Sequence, residues 1–323
     1  MISPTPCFGF DVSSTELCLT QADPFTLNTA VKSIPNTAPQ ILRWLKTVPA
    51  GCRIGMEATG TFHRLLADLA HQAGHTVFVL NPAHVATYLR SLRARGKSDV
   101  LDTRGIARYV LNEGASLHPY TPPTALQDTL ALLIHRRHQF VKQRQSLRMS
   151  MAGLSLCKPQ FDALIQSFDA LLAELDARIT QTIAQDTELQ AQRQRLCTIC
   201  GIGPLVSASL TARLSRIPYA NSDAFVAAYG MDPRPRDSGQ YVGRRVLSKH
   251  GNPEDRRLIY LAAVSACNNP EWLAMRDKLV ARGLSKIAAY CVIARKLLRI
   301  AFAVWTSKSS FDPQRLRGAC AAP

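Results

Sequence analysis

Acidic residues are scarce in this chain: Asp and Glu number 23 against 39 Lys and Arg, for a net charge of +16. Such an excess repels itself in a compact fold unless a polyanion lies nearby, so nucleic acid is the first partner to expect and an anionic membrane surface its rival. Long apolar runs are absent as well, so no segment is expected to span a bilayer. The stretch Met1 to Asp11 lacks a basic start followed by an apolar segment, and no secretion signal is expected there. Cysteines number 9, an odd count scattered through mostly apolar segments, which fits reduced thiols in a cytosolic protein. Cys197 and Cys200 form one Cys-x-x-Cys, but no second pair stands at zinc-finger spacing, and both positions suit an apolar helix face. At 323 residues the chain can bury a large core and divides into two or three domains.

The few acids fall at telling points. Cys7 to Val12 reads as a buried strand carrying Asp11, and Glu16 to Thr20 and Thr29 to Ile34 read as the rest of a meander. Helical spacing over Pro39 to Val48 precedes a strand, Arg53 to Met56, that runs into Glu57. A helix over Phe62 to Ala73 ends at Gly74, and the strand Thr76 to Leu80 is closed by Asn81-Pro82. Another helix starts at Asp99, with Asp102 one turn on. This order predicts a ribonuclease H-like α/β domain, a mixed sheet flanked by helices. In that layout Asp11 and Glu57 end neighbouring strands, and Asp99 and Asp102 face them. Four gathered acids repel one another unless cations neutralise them, and two divalent ions about 4 Å apart make a phosphodiester-transfer site. A plainer reading of the helix start alone makes Asp99 an N-cap and Asp102 a first-turn acid. The basic run Arg90, Arg93, Arg95 and Lys97 adjoins the same place and reads as phosphate contact, with a solvated face as the alternative.

Pro119, Pro122 and Pro123 mark a linker. Two long helical patterns follow, Ala125 to Leu156 and Phe161 to about Arg195, separated at Pro159 and expected to form an antiparallel coiled-coil hairpin. Its apolar stripe serves either its own domain or a second chain. Leu196 to Ala208 has the form of a helix-hairpin-helix, in which Gly201 and Gly203 permit a tight turn whose N–H groups hold a phosphate. The Pro-, Gly- and Arg-rich stretch Met231 to Arg245 reads as a loop. Within it Ser238, beside Gly239, is either a simple turn residue or a nucleophile toward phosphorus, with Arg234, Arg236, Arg244 and Arg245 as donors to the transition state. Its proton acceptor is not evident, unless Asp237 or a hydroxide at the acid cluster serves. Arg256 and Arg257 open one further helix, Lys286 to Ala303 packs beneath as another, and the chain after Ser307 reads as a tail. The expected domains are 1–118, 119–195, a mainly α-helical 196–306, and the tail 307–323.

Gly9-Phe10-Asp11-Val12-Ser13, Met56-Glu57-Ala58-Thr59-Gly60-Thr61, Asn81-Pro82 and Lys97-Ser98-Asp99-Val100-Leu101-Asp102-Thr103 resemble the amino-terminal domain of the DEDD insertion-sequence transposases. That family includes the pilin-gene invertase and the bridge-RNA-guided serine recombinases. Gly201-Ile202-Gly203, Ser238-Gly239 and Ser248-Lys249-His250-Gly251-Asn252 resemble its carboxy-terminal transposase domain. The resemblance runs from about residue 7 to 305, with the motifs in the family's order. It implies a RuvC-like domain with Asp11, Glu57, Asp99 and Asp102 as Mg2+ ligands, and Ser238 as the residue that joins covalently to DNA. It further implies Lys249 among the nucleic-acid contacts, a coiled coil joining protomers into a dimer or tetramer, and guidance by a structured RNA. The expected function is a transposase or site-specific recombinase acting in the bacterial cytoplasm, at the nucleoid, on element ends and target DNA. Its phosphoserine link conserves the energy of the broken bond, so no ATP is needed. The rivals are a RuvC-like nuclease or Holliday-junction resolvase using water, an actin-like ATPase suggested by Phe10-Asp11-Val12-Ser13-Ser14, and a non-catalytic nucleic-acid-binding regulator.

Overall fold

The computed structural model describes residues 5–26, 28–92, 99–153, 156–235, 237–239, 241, 243 and 245–314, with the side chain of Asp99 excepted. It divides into two compact units, Met1–Pro122 and Pro123–Pro323.

Alternating apolar residues build the first unit. β1 (Cys7–Val12), β2 (Glu16–Gln21) and β3 (Lys32–Pro35) form an antiparallel meander. After α1 (Ala38–Leu45), β4 (Arg53–Glu57) pairs parallel to β1; after α2 (Arg64–Gln72), β5 (Thr76–Leu80) pairs parallel to β4. The resulting strand order is 3-2-1-4-5. α3 (Pro82–Ser91) and α4 (Asp99–Glu113) complete the unit. Successive side chains on a strand point to opposite faces. Phe8, Phe10, Ile54 and Met56 therefore bury against Ile41, Leu45 and Leu66 of α1 and α2. On the other face Cys7, Phe78 and Leu80 bury against Val85, Ile106 and Val110 of α3 and α4. Each large apolar side chain so enclosed contributes about 1.5–3 kcal/mol.

Two expectations are corrected here. The third strand begins at Lys32 rather than Thr29, because the carbonyls before it are taken by side chains: Arg104 donates to Thr29 O at 2.8 Å and Thr20 Oγ1 to Ala30 O at 2.8 Å. Asn81-Pro82 does more than close β5, since it opens α3. Asn81 Oδ1 accepts from Ala83 N at 2.9 Å, and Pro82 fills a first-turn position where its missing N–H costs nothing.

In the second unit α5 (Ala125–Ser150) and α6 (Lys158–Ala184) run antiparallel. Arg137 donates to both oxygens of Asp176 at 2.5 and 2.9 Å, Arg144 pairs with Asp169, and Phe140 meets Phe168 edge-on. Ile165, Leu172 and Ile179, at heptad spacing, are buried, while Leu132, Leu164 and Leu171 stay exposed. α5 stops before Pro159, which lies in the first turn of α6 instead of breaking a helix. The helix expected to reach Arg195 ends at Ala184. Asp186 then caps a separate helix, α7 (Thr187–Cys197), by accepting from Glu188 N and Leu189 N.

α8 (Pro204–Arg216), α9 (Ser222–Ala228), a short ribbon of β6 (Pro233–Arg234) and β7 (Val246–Leu247), α10 (Pro253–Ala266), α11 (Pro270–Ala281) and α12 (Lys286–Ser307) follow. α12 is central: Ile293, Leu297 and Ala301 are wholly buried in the cluster that holds Phe225, Ile259 and Trp272. Beyond it the chain folds back, with Phe311 N donating to Thr198 Oγ1 at 2.9 Å and Lys308 pairing with Glu188. The expected tail thus begins as an anchored segment, and residues 315–323 lie outside the described residues. The described cysteines are free thiols, and Cys197 is exposed rather than on a buried apolar face. No helix among the described residues is long and apolar enough to cross a membrane.

Candidate active site

The acids of the first unit are positioned by two glycines. A first side-chain carbon at Gly9 would stand under 3.0 Å from Ala107 N and Thr103 O, so the backbone of α4 rests directly on β1. At Gly55 the same carbon would meet Val110, with Ile106 at 3.4 Å. Two residues beyond Gly9 on the same face comes Asp11, and two beyond Gly55 comes Glu57. The register of β1 on β4 runs from Cys7↔Arg53 to Phe10↔Met56, and Asp11 and Glu57 stand one step further on these neighbouring strands. Four residues back along α4 from Thr103 and Ile106 are Asp99 and Asp102. Four helical residues rise about 6 Å and two strand residues about 6.6 Å, so the step on α4 keeps pace with the step on the strands. Backbone geometry therefore carries all four positions to the carboxyl end of β1 and β4.

Asp11, Glu57 and Asp102 are each half-buried. Their donor chemistry, hard carboxylate oxygen, suits a divalent cation such as Mg2+. Among the described residues, however, no group of three His, Cys, Asp or Glu side chains is drawn closely enough together to hold a metal ion. The signal missed in the sequence is the repeated step itself, Gly-Phe-Asp on one strand and Gly-Met-Glu on the next. Glycine inside a strand marks a place where another backbone approaches.

Ser238 is exposed in the expected loop, between the two strands of the β6–β7 ribbon, where an isolated bridge joins it to Tyr241. Its N–H and carbonyl both bond Tyr241 at 3.0 Å, with Gly239 at φ 56° in the turn between them. Asp237 Oδ1 accepts from Arg245 at 2.5 Å and from Gly243 N at 3.1 Å, tying the two sides of the ribbon together. The Arg245 hydrogen bond holds the Asp237 carboxyl below its ordinary range. Asp237 is thus a weak proton acceptor, and Arg245 is engaged as its partner. At the root, Ser248 Oγ bonds Asp232, and Arg234 stands 3.6 Å from the same carboxylate. Below them Gly230 and Gly251 cross backbone on backbone: a side chain on Gly230 would meet Gly251 N at 2.7 Å.

The basic candidates divide. Arg90 lies on α3 and turns back on its own helix, donating to Ala86 O and Thr87 Oγ1 at 3.2 Å. Arg93, Arg95, Lys97, Arg236 and Arg244 lie outside the described residues. Lys249 is exposed, with φ 56°. Gly201, at φ 86°, is packed on α10, where a side chain would meet Ala266 N at 2.8 Å; Gly203 faces open space ahead of α8. The segment joins α7 to α8 through this turn.

A DEDD-type transposase family model matches residues 8–154, and the model of the transposase IS116/IS110/IS902 family matches residues 193–276. The pilin gene-inverting protein of Moraxella bovis is 29% identical over 262 residues, covering 80% of this chain and 81% of that protein. The transposase for insertion sequence element IS1328 of Yersinia enterocolitica is 26% identical over 306 residues, covering 84% and 89%. T. thermophilus RuvC in complex with a Holliday junction substrate overlaps 36% of this chain and 99% of its own at TM-score 0.27 and 15% identity, too loose a likeness to argue from. The chain is a transposase, an enzyme of DNA recombination, as its motifs led one to expect. It belongs to the IS116/IS110/IS902 family, whose two models match first the stretch that carries the four acids and then the stretch that carries Ser238.

Proposed function

We propose that this enzyme cuts and rejoins the ends of an insertion sequence through a phosphoserine at Ser238, with Asp11, Glu57, Asp99 and Asp102 as the carboxylates of a RuvC-like domain. The observation that carries the reading is the twin glycine-to-acid step, which sends acids from three elements to one end of the sheet. Those carboxylates would hold divalent ions, Mg2+ and two in number by the family resemblance, which stabilise charge building on the scissile phosphate. The Ser238 hydroxyl gives up its proton and attacks phosphorus. A serine ester bond forms as the bond to the departing sugar oxygen breaks, and that oxygen takes up a proton. A hydroxyl on the second strand then attacks the same phosphorus and frees the serine, so the number of phosphoester bonds is conserved. Arg234 and the other ribbon arginines supply donors to the crowded phosphorus. Asp237 clasps the ribbon and leaves proton transfer to the acid cluster.

Further parts of the reading rest on the resemblance and on charge. The α7–α8 turn acts as a helix-hairpin-helix on phosphate, with Gly203 at the open helix start. The exposed Leu164 and Leu171 of the α5–α6 hairpin join protomers into a dimer or tetramer as a coiled coil. A structured guide RNA shares the excess of positive charge with element and target DNA.

The test is to incubate purified protein with element-end DNA, total cellular RNA and Mg2+ and to look for a protease-sensitive adduct mapping to Ser238. Glu57→Gln or Asp102→Asn should cut adduct formation by on the order of 10³-fold or more. Ser238→Ala should give none. Strand exchange by the Ser238→Ala protein would overturn the covalent step and favour a resolvase that uses water.

A further inference from the structure

The second unit holds a cavity of about 250 Å³ between α5, α8 and α10 that the chemistry above does not use. Ile134 and Ile217 give it apolar wall, and His135, His138, Arg216 and Glu254 give it polar edge. Asp255, also at its wall and only 7% exposed, is fully engaged: Arg213 donates to Oδ2 at 2.8 and 2.5 Å and Ser209 to Oδ1 at 3.3 Å. Glu254 is not held in this way. Its Oε2 lies 3.8 Å from His138 Nδ1 and 3.7 Å from Arg257 Nε, both beyond hydrogen-bond length. A carboxylate has about four lone-pair sites, so its acceptor capacity at the cavity is largely unspent. His138, 8% exposed, stands at the same wall.

We propose that this cavity receives one unpaired guanine base of the nucleic acid on which the enzyme works, an inference that rests on the chain being a nucleic-acid enzyme. Guanine alone among the bases offers two parallel donors, N1–H and N2–H, to a carboxylate, while its O6 and N7 accept from a cationic side chain. Glu254 meets the first edge; Arg216 and His135 meet the second. Adenine would bring its N1 lone pair against the carboxylate and be repelled. The apolar surface of Ile134 and Ile217 suits a flat ring. The cavity also touches Asn252, which caps α10 by accepting from Glu254 N at 2.8 Å and directly follows Gly251 at the root of the Ser238 ribbon. A bound base is therefore sensed where that ribbon is anchored.

Single-stranded RNA and DNA oligonucleotides, each carrying one 6-thioguanine, are to be irradiated with the full-length protein and the crosslinked peptides mapped. The expected adduct falls within residues 131–138 or 252–257, and guanosine monophosphate competes for it at least about tenfold better than adenosine monophosphate. Glu254→Gln, and Ala131→Trp at the exposed rim, should each lower it about tenfold while filter retention of the oligonucleotide changes less than about twofold. The arm that crosslinks, RNA or DNA, names the source of the base. An adduct elsewhere, equal competition by the adenine nucleotide, or an adduct indifferent to both variants overturns the site. Failure to retain either oligonucleotide overturns the nucleic-acid premise instead, which separates the two failures.

Discussion

Gly9 illustrates how much a single missing methyl group can decide. Its neighbours across the gap are backbone atoms of α4, which cannot rotate aside, whereas at Gly55 the nearest atom is the tip of the Val110 side chain. Gly9→Ala should therefore destabilise the first unit by about 1–3 kcal/mol or more, and Gly55→Ala by less. Thermal unfolding checks the order, and equal losses would refute it. Strand cleavage should fall with the first variant even where the protein folds, since the acid-bearing end of α4 is what shifts. A second residue-level effect concerns His63, His75 and His138, whose pKa values are all pushed below the ordinary one by burial. The unfolded chain then takes up protons before the folded one does. Stability is full above about pH 6.5 and is lost as pH falls below that value toward the lower folded pKa values. Melting midpoints should drop between pH 7.5 and 5.5; a flat profile would contradict the assignment.

At the scale of elements, helix starts are made by one recurring device. Asn81-Pro82, Asn252-Pro253 and Asn269-Pro270 each begin a helix, with the asparagine oxygen accepting from an N–H two residues on at 2.9, 2.8 and 2.9 Å. Asn81→Ala should cost α3 about 1 kcal/mol and quicken its amide exchange, leaving α2 unchanged. The sheet and the long helices were legible because their apolar periods are unbroken from turn to turn. α3 was not, because Asn-Pro also ends strands; nor was the break before α7, which a lone Asp186 makes without glycine or proline. The Ser238 ribbon was read as a loop because side-chain clasps, Asp237 to Arg245 and Asp232 to Ser248, hold it together rather than a long ladder. The four acids could be read singly from strand ends and a helix start, whereas the glycine steps that align them follow from packing. Asp237 yields a further test. Asp237→Ala should slow adduct formation and Asp237→Asn should largely restore it, since an amide oxygen still clasps Arg245; a general base would lose activity in both.

Over the whole molecule, charge and division into units set the behaviour. With a net charge of +16, DNA affinity should fall by about 10³-fold or more between 50 and 200 mM salt if six or more phosphates are contacted, as filter binding would measure. Acids and serine belong to different units, so a mixture of Asp102→Asn and Ser238→Ala proteins should recover part of the recombination that neither performs alone. No recovery would assign both functions to a single chain. Finally, Gly230 and Gly251 act as a rivet through the two legs of the Ser238 ribbon. Added residues near the tip would lengthen or reshape the reach of the serine while leaving the helical body untouched, whereas a single methyl at the rivet would spring both legs apart. Engineering the reach of the proposed nucleophile should therefore be done outboard of that crossing and never at it.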